Sequence, residues 1–167
     1  MNKLVKLFIT SISAITLALV SFTSSFAKVE GDYIVLGSAI SLTGKYSSNG
    51  VHTQNGYNMA VERINKMGGV NVGGKSYKFE IIYYDDESNP KRAAQLAERL
   101  IKQDGVHYML GPYSSGLTKA TAPVTEKYKI PMVEANGASR SLFTKGYKYL
   151  FAVLSPANQY LEVAIDL

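Results

Sequence analysis

Residues 69–76 read Gly-Val-Asn-Val-Gly-Gly-Lys-Ser, the written pattern of a loop that cradles a nucleotide phosphate. That chemistry needs the loop to leave a strand and enter a helix, so that amide hydrogens and a helix N-terminus converge on the phosphate. Here the order is reversed, with a helical pattern before and a strand pattern after, and the segment is read as a tight Gly-rich turn. Asp85 and Asp86 close an apolar run, where two carboxylates can hold magnesium or serve a phospho-acceptor pocket. The competing reading is solvated turn carboxylates, one of them favoured by a helix N-terminus. His52 and His107 are the only histidines, and no acidic residue accompanies them at triad or metal-ligand spacing. The stretch 111–116, Gly-Pro-Tyr-Ser-Ser-Gly, is not a nucleophile elbow, since glycine would be needed at 112.

Two loops remain that are rich in small hydroxyl and amide groups. Tyr113, Ser114, Ser115 and Gly116 lie where a helix begins, and exposed amides with serine hydroxyls there make a pocket for a carboxylate without lysine or arginine. Asn136, Gly137, Ala138 and Ser139 offer the same, together with backbone carbonyls able to accept from an ammonium group. Neither loop carries an obvious general acid or base, so the chemistry is reversible binding of a polar small molecule and not catalysis. Ordinary helix capping by Ser115 and Ser139 is the alternative for each loop taken alone.

The elements that position these loops follow from periodicity. Residues 33–40 and 77–84 form apolar runs of strand length, and 106–110, 130–135 and 149–154 are shorter ones. Between the first two, Gly56, Met59, Ala60, Ile64 and Met67 recur at three and four, one stripe of a helix over about 50–67. Asn89 and Pro90 suit the N-cap and first position of a second helix, whose stripe is Ala93, Leu96, Ala97, Leu100 and Ile101. A third helix runs to about Lys127, and a last one begins after Pro156. Strand and helix alternate with short connections, which predicts an α/β, doubly wound parallel sheet with helices on both faces. Ligands of such sheets sit beyond the carboxyl ends of the strands near the reversal of strand order. The loops at 41–50, 111–116 and 135–139 are therefore the ones expected at a site.

Composition narrows the class. The 167 residues contain no cysteine, which excludes a disulfide framework, thiolate metal sites, a cysteine nucleophile and a lipid-modified cysteine. Residues 1–27 carry Lys3 and Lys6, no acidic residue, an apolar run over 7–22, and the ending Ser25-Phe26-Ala27. This is the pattern of a cleaved export signal, with the cut expected after Ala27. A membrane anchor is the alternative, but the strongly apolar stretch falls short of the roughly 20 residues that span a bilayer. Without those two lysines the net charge of +5 becomes +3, and no basic run suggests nucleic acid. The product is expected outside the cytoplasm, as a protein that is neither an enzyme nor a holder of a metal or other cofactor.

Taken together, Leu42-Thr43-Gly44 with Gly50, then Gly56, Ala60, Ile64-Asn65 and Gly68-Gly69 have a familiar order and spacing. The series continues with residues 85–90, Asp-Asp-Glu-Ser-Asn-Pro, and with Gly111-Pro112, Pro131 and Gly146-Tyr147. Over residues 31–165 the sequence resembles the type I periplasmic binding proteins of the leucine/isoleucine/valine-binding class, which serve ABC importers. The resemblance implies a two-lobed, monomeric periplasmic protein that closes on a small solute, often an amino acid, and delivers it to a membrane permease. On that pattern 28–153 is the first, Rossmann-like lobe, 154–167 the hinge crossing and start of a second, and the rest of the second lobe is missing. Ser115 falls in the place of the serine that holds the ligand carboxylate, and Gly137, Ala138 and Ser139 in the place of the second binding loop. Asn49 stands where relatives often carry an aromatic residue against the ligand. Glu134 and Asn136 depart from the commoner proline or glycine of that stretch. The same fold serves as the extracellular domain of receptors, and amides or aromatic acids are alternative ligands.

Overall fold

The computed structural model describes residues 31–165, so the expected export signal at 1–27 lies outside the described residues. The elements are β1 (Tyr33–Ile40), α1 (Ser47–Lys66), β2 (Val70–Val72), β3 (Lys75–Asp85), α2 (Pro90–Lys102), β4 (Tyr108–Leu110), α3 (Ser115–Tyr128), β5 (Met132–Glu134), β6 (Leu150–Ala152) and the short α4 (Glu162–Ile165). One six-stranded sheet has the order β2-β3-β1-β4-β5-β6. β1 pairs in parallel with β3 along its whole length, from Tyr33 opposite Lys78 to Ile40 opposite Asp85. Its other edge pairs with β4, again in parallel, and β5 and β6 continue the series. The chain thus starts in the middle, builds once to one side and then to the other. The strand order reverses between β1 and β4, which places the ligand crevice of such a sheet beyond their carboxyl ends.

Two details of the sequence reading are corrected. The sheet is not wholly parallel, because β2 runs antiparallel to β3. Gly73 and Gly74 take φ of +60° and +85° between them, the two left-handed positions that a tight hairpin turn demands. The Gly-rich turn therefore lies inside a hairpin, and the segment 69–76 still enters a strand and not a helix. The second correction concerns α1. Its expected buried stripe faces outward, with Met59 and Met67 69% and 68% exposed and Gly56 and Ala60 exposed beside them.

Polar anchors decide which side of α1 is inside. Gly50 is buried so closely against the backbone of Ser41 that a Cβ would stand 1.8 Å from its carbonyl oxygen. Asn65 donates to the Phe79 carbonyl and accepts from the Phe79 amide, both at 2.8 Å. β2 covers the outer edge of β3 only at Lys75, Ser76 and Tyr77, so Phe79 presents an open edge that the Asn65 amide satisfies. These two fixed points turn the apolar stripe away from the sheet.

The other face carries the main core. α2 buries Ala93, Ala97 and Leu100, as its spacing predicts, and Asn89 caps it by accepting from the amides of Lys91 and Arg92 at 2.9 and 3.1 Å. α3 packs beside it, and together they cover Ala39, Met109, Met132 and Leu150. On the α1 side only β3 and β1 are screened, and Tyr108, Val133 and Phe151 of β4, β5 and β6 remain exposed. No helix among the described residues is long and apolar enough to cross a membrane.

Candidate functional site

All the loops singled out above leave the carboxyl edge of the sheet, and they form two corners of different character. The first joins the loop after β1 to the turn after β3. Asp86, fully buried, accepts at Oδ1 from the Ser41 hydroxyl at 2.6 Å and the Ser88 amide at 2.8 Å. Asp85 accepts at Oδ1 from the amides of Leu42, Thr43 and Glu87, and at Oδ2 from the Thr43 hydroxyl at 2.7 Å. Ser88 closes the knot, donating to the Thr43 carbonyl and accepting from the Tyr46 amide. Burial pushes the Asp86 carboxyl above its usual range, with the Asp85 charge adding to it. For Asp85 burial works the same way, but the Thr43 hydroxyl and three amides outweigh it and hold the carboxyl below the usual range.

These aspartates are therefore braces between loops. The helix that follows is capped by Asn89, not by either of them, which corrects the capping role considered above. Among the described residues no group of three acidic, histidine or cysteine side chains could hold a metal ion. His107 is buried beside β4 with Nδ1 accepting from the Val35 amide at 3.0 Å, and His52 lies exposed on α1.

The second corner joins the loop after β4 to the loop after β5. Ser114, at φ +81°, is the residue that caps α3, its hydroxyl accepting from the Leu117 amide. Ser115 is the first helical residue, and its hydroxyl oxygen accepts from the Ser139 amide at 3.1 Å, which ties the two loops together across 24 positions of sequence. The capping reading of Ser115 and Ser139 is thus replaced by a bridge between them. The Ser139 hydroxyl pairs with Ser141 at 2.9 Å. Asn136 and Gly137 turn their amides down onto the buried carboxyl of Glu134. The Ala138 carbonyl accepts from the Ala157 amide at 2.8 Å, which takes up one of its two lone pairs.

Aromatic side chains border this corner. The Tyr113 ring meets the Tyr46 ring edge to face at 5.6 Å, bridging the loops after β1 and β4 on either side of the strand reversal. Tyr57 reaches from α1 to donate to the Gly111 carbonyl at 2.9 Å, and burial with the nearby Glu134 charge pushes its hydroxyl pKa up. Asn49 sits exposed on the first turn of α1; its carbonyl accepts from the Thr53 hydroxyl at 2.9 Å, and its side chain makes no hydrogen bond among the described residues. The structure thus draws Tyr113, Ser114, Ser115, Asn136, Gly137, Ala138 and Ser139 into one corner and leaves Asn49 outside its hydrogen-bond network. Tyr46 and Tyr57 are additions that sequence reasoning missed. Their signal is faint: single tyrosines, one in a polar loop and one on a helix whose apolar stripe lies on its other side.

A family profile described as periplasmic binding protein matches residues 34–166. The leucine-, isoleucine-, valine-, threonine- and alanine-binding protein of Pseudomonas aeruginosa is 30% identical over 133 residues, 80% of this chain and 34% of that protein. Among solved structures, the branched-chain amino acid transporter substrate-binding protein LivJ of Streptococcus pneumoniae in complex with isoleucine aligns at TM-score 0.67 and 27% identity, over 80% of this chain and 39% of that one. An ABC transporter solute-binding protein of R. palustris in complex with 4-hydroxybenzoate aligns at TM-score 0.59 and 32% identity, over 72% of this chain and 31% of that one. The chain spans about a third of the length of these relatives. A profile match over most of the chain, a shared fold and serine-rich loops at the edge where such sheets bind ligands agree: the chain belongs to the periplasmic binding protein family.

Proposed function

We propose that this chain is part of the extracytoplasmic solute-binding component of an ABC importer, and that its second corner takes an amino acid of branched-chain type or a similar small carboxylate. The observation that carries this is the bridge from Ser115 to Ser139, which sets two hydroxyls beside the N-terminus of α3 at the edge expected of a ligand site. The P. aeruginosa relative, named for binding leucine, isoleucine, valine, threonine and alanine, supports the choice of ligand. The work is binding and domain closure, not catalysis, in keeping with a family of binding proteins.

On this reading residues 1–27 direct export and are removed, 28–153 are the first lobe, and 154–167 begin the crossing to a second. The protein acts as a periplasmic monomer that hands its solute to a membrane permease. An aromatic acid is the second ligand reading, favoured by the Tyr46 and Tyr113 rings at the crevice and by the 4-hydroxybenzoate relative. Titration calorimetry of the full-length protein against branched-chain amino acids, amides and hydroxybenzoates tests both. Saturable heat with leucine or isoleucine is the expected result; binding confined to aromatic acids selects the second reading, and no heat from any of them defeats both.

A further inference from the structure

Glu134 is an acid in a place that none of the foregoing uses. It ends β5 directly beneath the second binding loop and is 0% exposed. One oxygen, Oε2, accepts from the Asn136 amide at 3.0 Å and from the Gly137 amide at closer range. The other, Oε1, is buried without a hydrogen-bond partner among the described residues, and no described cation pairs with the group. Burial pushes its carboxyl above the usual range, while the two amides pull it down.

The packing around it is closed. A Cβ on Gly137 would stand 2.6 Å from Oε2, 2.8 Å from the Leu142 side chain and 3.0 Å from the Thr118 hydroxyl. On the other side a Cβ on Gly111 would stand 2.6 Å from the Glu134 Cβ. Gly137 is thus required by the carboxylate and its neighbours, and Gly111 by the close approach of the residue 134 backbone and Cβ, neither by its own backbone angles. Two amides that an open loop would turn toward an incoming anion are instead spent on an anion that belongs to the protein.

We propose that Glu134 is the positioning residue of the binding loop: it occupies the Asn136 and Gly137 amides as an internal anion and so assigns the ligand's acid group to Ser115, Ala138 and Ser139. This rests on the ligand site proposed above. The Ala138 amide makes no hydrogen bond among the described residues, and the Ser115 and Ser139 hydroxyls stand on the same loops, so donors remain for a carboxylate. A ligand bound this way gains nothing from the first two amides and depends on the shape that Glu134 gives the rest.

Residue-resolved amide hydrogen exchange on the full-length protein, with and without leucine or 4-hydroxybenzoate, tests the proposal. Without ligand, the Asn136 and Gly137 amides are expected to be protected in the wild type and in Glu134→Gln, whose amide oxygen still accepts, and to exchange at least tenfold faster in Glu134→Leu. With ligand, added protection is expected at Ala138, whose amide has no partner among the described residues, and not at Asn136 or Gly137. Affinity should stay within about threefold in Glu134→Gln and fall at least tenfold in Glu134→Leu, about 1.4 kcal/mol. Tenfold added protection of Asn136 and Gly137 by ligand in the wild type, or Glu134→Leu binding as tightly as wild type, overturns the proposal. If neither ligand binds, the site reading fails instead, and fast exchange of the two amides in the ligand-free wild type would still overturn the role of Glu134.

Discussion

The two corners at the carboxyl edge of the sheet each hold a buried acid, Asp86 in one and Glu134 in the other, and they use it to opposite ends. Around Asp86 the neighbouring loops close on themselves: Ser41, Thr43, Ser88 and the adjoining amides all find partners inside the knot. Around Glu134 the acid satisfies the first two amides of its loop, and hydroxyls further along are left at the surface. A set of polar groups with no donors to spare is a joint; a set that retains donors at an exposed edge is a place for a ligand. That difference, and not the presence of carboxylates, separates the brace from the site.

The sharpest break of the first corner is Gly50→Ala. Its Cβ would meet the Ser41 carbonyl at 1.8 Å, so α1 must shift off the sheet, at a cost of roughly 3 kcal/mol in chemical denaturation. Next comes Asp86→Ala, which strands the Ser41 hydroxyl and the Ser88 amide in a buried site and should cost about 2 kcal/mol. Both should lower stability while leaving the ligand affinity of the folded protein within a few-fold. If Asp86→Ala abolishes binding in a protein that remains folded, the division between brace and site is wrong.

Ser115→Ala probes the other corner. It removes the acceptor of the Ser139 amide and one donor to the ligand, and should weaken leucine binding about tenfold with little change in thermal midpoint. A midpoint loss as large as that of Asp86→Ala, with affinity intact, would turn this corner into a second joint. Proton linkage separates the corners further. Glu134 and Asp86 both titrate above the usual range in the folded state, so stability should decline as pH rises from about 4 through their raised values. Asp85 is lowered, so its contribution is present above about 4 and is lost as pH falls through its folded value. Thermal midpoints across pH 2.5–8 should therefore show a shallower decline on the alkaline side in Glu134→Gln and a smaller acid loss in Asp85→Asn.

The smallest effect is expected away from both corners. Met67→Lys, on the exposed stripe of α1, should change stability by no more than about 0.5 kcal/mol, because that side chain packs against little. The apolar stripe reading predicts instead the loss of a core residue, several kcal/mol, so this substitution tests which side of α1 is inside.

Local patterns in the sequence determined a good deal. Continuous apolar runs give β1 and most of β3, Asn89-Pro90 fixes the start of α2, and the spacing of Ala93, Ala97 and Leu100 gives its buried side. Alternation of strands and helices gives the doubly wound sheet, and with it the edge where Ser115 and Ser139 were to be sought. These features are legible because each depends on residues within a turn or two of one another. Tertiary structure alone decided the rest. The side of α1 that is buried follows from Ser41 and Phe79, which pin Gly50 and Asn65 from other elements. The three-residue β2 has no periodicity to read and exists because β3 offers it an edge. Whether an acid is a brace or a support depends on which donors turn toward it: Asp85 and Asp86 add donors from the loop after β1 to those of their own turn, whereas Glu134 takes both of its amides from its own loop. No spacing along the chain encodes the brace, because Ser41, Leu42 and Thr43 reach the two aspartates from a loop more than 40 residues away that only the fold makes a neighbour.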